Sequence, residues 1–138
     1  MAYAADYTKD NGNYNIGHRY MDHLVVVSRS FSAATHNLTS GSYYKLFAVP
    51  ANFQIMRAYV TCTTAETSSG TDSIDIVDDD TPTTTIVNDA PMAAGTITAI
   101  NARKMYTAAG YICVLANNDL TTAVFTVTIV GMIAETDR

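Results

Sequence analysis

The chain has 138 residues, enough for one domain and too few for two of ordinary size. Apolar residues make up 48% of it and charged residues only 15%, against roughly 25% charged in a typical globular chain. The net charge is −5, with eleven Asp, two Glu and three lysines (Lys9, Lys45 and Lys104), so clustered cations for direct nucleic-acid binding or for docking on an anionic membrane are missing.

A domain of this size buries roughly 70% of the surface of its unfolded chain, so a core forms without disulfides or metal. With few charges, Thr, Ser, Asn, Ala and Tyr must cover the exterior. Such a surface is either the ordinary outside of a Thr-rich β-protein or one meant to be covered by neighbouring chains.

Residues 1–21 stand apart. Tyr3, Tyr7, Tyr14 and Tyr20 lie among Asn11, Gly12, Asn13, Asn15 and Gly17, with Ile16 almost the lone aliphatic residue and no period of 2 or 3.6. Tyrosine offers a rigid contact surface with a polar tip, which suits an interface. The segment reads as an extended arm that lies on its own domain, a sister subunit or another protein. Its start, Met1 to Tyr7, has neither the basic region nor the apolar stretch of a secretory leader, and no apolar run reaches membrane-span length. Synthesis in a cytoplasm is the expectation.

From residue 22 to 138 the signals are those of one β-domain. Leu24-Val25-Val26-Val27 opens a β-branched run that ends near Phe31, followed by a polar, turn-rich stretch from Ala33 to Ser42. Tyr43 to Val49 reads as a strand stopped by Pro50, which cannot donate to a ladder. Phe53 to Thr64 is the longest candidate. Its alternation places Met56, Ala58, Val60 and Cys62 on an apolar face, opposite Arg57, Tyr59, Thr61 and Thr63. After a turn at Ser68 to Thr71, the runs Ser73 to Val77 and Thr83 to Asn88 flank Asp78-Asp79-Asp80-Thr81-Pro82 and predict a hairpin.

A turn at Asp89-Ala90-Pro91 precedes a short strand at Gly95 to Thr98, and Ala99 to Ala109 is compatible with one helical turn. Tyr111 to Ala116 and Thr122 to Ile133 close the series around Asn117-Asn118-Asp119. The last strand, with Ala123, Phe125, Val127 and Ile129 on one face and Thr and Val on the other, belongs in the middle of a sheet or under a partner. About eight strands with regular turn signals predict an all-β antiparallel sandwich or barrel.

Residues that carry chemistry are sparse. His18, His23 and His36 lack the spacing of a metal pair. Cys62 falls on an apolar strand face, where a thiol is inert, and Cys62 and Cys113 read as buried free thiols or, should their strands be neighbours, as a disulfide pair. Asp78-Asp79-Asp80 reads as a solvated turn cluster, although three carboxylates could also hold calcium; the spacing of a calcium-binding helix-loop-helix is absent. There is no phosphate-cradling glycine loop and no nucleophile elbow. The expectation is a protein that is not an enzyme and needs no cofactor.

The stretch Lys45-Leu46-Phe47-Ala48-Val49-Pro50-Ala51-Asn52-Phe53-Gln54-Ile55 continues into a Thr-rich strand. Gly70 to Val77, Ala93-Ala94-Gly95, Tyr106 to Ile112 and Val124 to Ile129 follow it. Over about residues 40–134 this texture resembles the head decoration (cement) proteins of tailed bacteriophages, which have a jelly-roll or related β-sandwich. The resemblance implies a homotrimer on the outside of the capsid, clamping neighbouring major-capsid subunits. The tyrosine-rich arm falls outside it. Tyr3, Tyr7, Tyr14, Ile16, Arg19 and Tyr20 are the candidate partner-binding residues, facing the capsid or an adjacent subunit. A phage tail or fibre component with a binding sandwich is the alternative.

Overall fold

Nine strands run through the residues that the computed structural model describes, which are 23–66, 71–81 and 83–133. They are β1 (His23–Ser32), β2 (Tyr43–Val49), β3 (Phe53–Thr64), β4 (Ser73–Asp78), β5 (Thr85–Pro91), β6 (Ile97–Ile100), β7 (Lys104–Tyr106), β8 (Gly110–Ala116) and β9 (Val124–Ile133). The antiparallel ladders β4 with β5, β3 with β6 and β7, β2 with β8, and β1 with β9 nest inside one another, so the chain forms one long hairpin. Further pairings of β9 with β3 and of β8 with β4 roll that hairpin over on itself. Two sheets result, β1-β9-β3-β6 with β7 beside β3, and β2-β8-β4-β5. This is a jelly-roll sandwich.

The expected strand count is met because β6 and β7 share one position along the edge of β3, at Ala58 to Thr61 and at Phe53 to Ile55. The region 99–109 is therefore a broken strand rather than a helical turn; the edge of β3 supplies ladder bonds that one isolated turn would lack. The turn expected at Asp89-Ala90-Pro91 is instead the end of β5. There Asp89 takes a positive φ of 52°, and its N–H reaches the Asp75 carboxylate at 2.8 Å. The hairpin over the Asp-rich turn, the stop at Pro50 and the central place of β9 all agree with the sequence.

One face assignment changes. β3 carries a bulge between Ile55 and Arg57, so Met56 has no partner on β9 and turns outward. The inward set is Phe53 and Ile55 before the bulge, then Ala58, Val60 and Cys62 after it. An extra residue in one strand flips every later side chain, and strict alternation cannot show it.

The core lies between the sheets. Val25, Val27, Phe53, Ile55, Ala58, Val60, Phe125, Val127 and Ile129 come from one sheet; Phe47, Val49, Ile74, Ile76, Val87, Ile112 and Val114 come from the other. Leu38 and Leu120, from connecting segments, form an isolated bridge and close one end. At the other end, β9 passes under the Phe53 ring at Gly131. A Cβ there would lie 2.5 Å from Phe53 Cζ and 2.6 Å from the Gln54 carbonyl oxygen, so glycine alone fits.

Candidate assembly surface

The two faces of the larger sheet differ in chemistry. Its inner face is core; its outer face is graded along the strands. Register aligns Leu24 of β1 with Met132 of β9, Gln54 of β3 and Met105 of β7, and the next row holds Val26, Val130 and Arg57 with Met56 bulged beside it. Leu24 and Val26 are 50% and 46% exposed, Met56 40% and Met105 42%.

Further along, the same face becomes hydroxylic. Ser28 and Thr128 share a hydrogen bond of 2.8 Å, Ser30 and Thr126 another of 2.8 Å, with Tyr59 and Thr61 alongside on β3. Cross-strand Ser–Thr pairs stiffen the sheet without presenting charge. The outer face thus offers an apolar end and a largely hydroxyl end, where the exposed Ile97 of β6 flanks Thr61.

Polar side chains fix the loops around this frame. Glu66, just past β3, is buried and accepts hydrogen bonds from the backbone N–H groups of Thr121, Thr122 and Ala123 at 2.9–3.0 Å. Burial pushes its pKa up, but the Thr122, Ala123 and Thr121 amides outweigh burial and bring it down to about 2. Asp78 is fully buried at the end of β4. Its carboxylate meets the Lys104 ammonium at 2.7 Å and the Thr84 N–H at 2.6 Å, and Lys104 also pairs with Asp80. Burial opposes the charge on Asp78; the Lys104 ammonium and the Thr84 and Asp80 amides prevail and lower its pKa. The Asp-rich turn is thus not simply solvated: its first carboxylate is an internal anchor holding β4 to β7. At the sandwich edge the Arg29 guanidinium donates to the Leu46 carbonyl at 3.1 Å, bridging β1 and β2.

Both cysteines lie in the interior. Cys62 and Cys113 are free, buried thiols on different sheets, and burial is the main force raising both pKa values. Among the described residues no group of three or more His, Cys, Asp or Glu is arranged to hold a metal ion, and no helix is long and apolar enough to cross a membrane. His36 packs against the Phe31 ring, which stacks on Phe125. Tyr3, Tyr7, Tyr14, Ile16, Arg19 and Tyr20 lie outside the described residues.

Sequence reasoning missed the apolar rows. Their signal is the unbroken run Leu24-Val25-Val26-Val27, which lacks the polar alternates of a strand with one wet face.

Three solved structures share this architecture. A chain from the acidic stable capsid structure of Helicobacter pylori bacteriophage KHP30 superposes with a TM-score of 0.62 at 13% identity, over 83% of this chain and 92% of that one. A chain from the capsid of Ralstonia phage GP4 gives 0.58 at 10% identity, over 83% and 86%. One from the cyanophage Pam1 capsid asymmetric unit gives 0.59 at 11%, over 83% and 88%. The fold is a phage-capsid-type jelly roll. No family model matches the sequence, and no curated protein matches it. In this jelly roll the likeness takes in nearly the whole of each neighbouring chain, so it concerns the complete sandwich and not a shared hairpin.

Proposed function

We propose that the protein is a structural component of a phage virion: a decoration (cement) protein that sits on the outside of the head and clamps neighbouring major-capsid subunits. The observation that supports this best is the match of the whole sandwich to chains taken from three phage capsid structures. A graded, nearly charge-free outer sheet face and the internal use of Glu66, Asp78 and both cysteines agree with a role in contact rather than catalysis.

In this reading the major capsid protein and further copies of the chain, as a homotrimer, are the partners. Neither nucleic acid nor membrane is contacted directly, and no cofactor is used. The chain is made in the bacterial host cytoplasm and ends on the capsid exterior. Residues 1–21, with Tyr3, Tyr7, Tyr14, Ile16, Arg19 and Tyr20, reach across to an adjacent subunit or the shell. Stabilisation works by linkage: a protein that binds only the assembled shell favours it by mass action, and many weak contacts act together.

The test is deletion of residues 1–21 followed by incubation with undecorated heads. The expected result is a folded sandwich that no longer decorates them. Full decoration by the truncated protein would overturn the role given to the arm.

A further inference from the structure

On β1, β9 and β3 the outer face is most apolar at the end where His23 pairs with Ile133, one step from the row of Leu24 and Met132; at the other end the exposed Ile97 of β6 lies beside Thr61. We propose that these rows seat the tyrosine-rich N-terminal segment of a second copy of this chain, so that copies are joined through their arms. The inference deepens the self-association in the reading above and is tested without any shell.

Four observations select this occupant. The exposed side chains of Leu24, Val26, Met56 and Met105, with half-buried Val130 and Met132, offer roughly 300–400 Å² of apolar surface, interrupted on β3 by the exposed Gln54 and Arg57. A stable contact between folded domains needs about 800 Å² from each partner, so the patch fits an extended segment and not another domain. Beside the rows, β1 has β9 on one side and, among the described residues, no strand on the other. Its free edge offers the backbone donors and acceptors that an added extended segment uses.

The chemistry of the two parts is complementary. The rows hold three methionines, Met56, Met105 and Met132, and the segment holds Tyr3, Tyr7, Tyr14 and Tyr20. Thioether sulfurs make favourable contacts with the edges of aromatic rings. The segment is long enough to reach a neighbour. Twenty-two residues precede His23 and span up to ~75 Å when extended, against ~40 Å for the length of β3.

The experiment mixes two preparations of the full chain, one isotopically heavy and carrying a benzophenone photocrosslinker in place of Tyr7. The expected crosslinks run from the heavy arm to light peptides that contain Leu24, Met56, Met105 or Met132. Crosslinks only within the heavy copy, or only to peptides elsewhere on the sandwich, overturn the proposal. In sedimentation equilibrium, the Val26→Ser/Met105→Ser variant should self-associate at least tenfold more weakly while melting within a few degrees of the parent. Unchanged association would overturn it as well. Loss of shell binding with these crosslinks retained would count against the cement reading and leave the seat intact.

Discussion

Replacing Glu66 tests how the jelly roll holds its loops. Its carboxylate satisfies three successive amides at the entry to β9, and the last of these belongs to Ala123, which is fully buried. In Glu66→Ala, water can rehydrate exposed Thr121 and half-exposed Thr122, but the Ala123 N–H is left without a partner. An unsatisfied buried donor costs about 1–3 kcal/mol, and the charge-assisted bonds to the other two amides add to this. The expected loss is on the order of 2–4 kcal/mol, which for a chain of this size lowers Tm by roughly 6–15 °C.

The pH dependence gives a second, sharper reading. The folded pKa of Glu66, about 2, lies below its ordinary value of 4.5, so its contribution is complete above pH 4.5 and is lost as pH falls through 2. Urea melts of wild type and Glu66→Gln at pH 7, 4 and 2.5 should converge by on the order of 2 kcal/mol toward the acidic end, once the exposure of the first two amides is allowed for. A stability gap between the two proteins that stays constant across this range, or a Glu66→Ala loss below about 0.5 kcal/mol, would refute the account.

Gly131→Ala forces a Cβ into the Phe53 ring and the Gln54 carbonyl; a loss of about 1–3 kcal/mol in chemical denaturation is expected, as for other overpacked cores. Lys104→Met leaves the buried Asp78 carboxylate without its cation and should cost roughly 3–5 kcal/mol, whereas adding Asp78→Asn should restore much of it, as a double-mutant cycle will measure. Both thiols should resist a disulfide-exchange reagent in the native protein at pH 8 and react fully in denaturant, since burial raises their pKa values and shields them.

Much of this fold is legible in the sequence because the jelly roll relies on local rules. Period-two runs mark β3 and β9, Pro50 ends β2, and the Asp- and Pro-rich turn sets the β4–β5 hairpin. Features that depend on distant parts of the chain are not legible. The bulge at Met56 follows from how β3 meets β9, and the split into β6 and β7 follows from the edge that β3 offers. Asp78 looks like one of three solvated acids until Lys104, 26 positions later, is brought against it. Glu66 carries no local hint of its three partners, which lie more than 50 residues on. The apolar rows were half visible in the run Leu24 to Val27, yet their methionines come from three separate strands and only the register unites them.

The central claim, that this sandwich is a repeated contact unit of the phage head, is tested most directly by its copy number. Quantitative gel densitometry of purified virions should give hundreds of copies per particle, in a fixed simple ratio to the major capsid protein. A handful of copies per particle, as for a tail or fibre component, would contradict it.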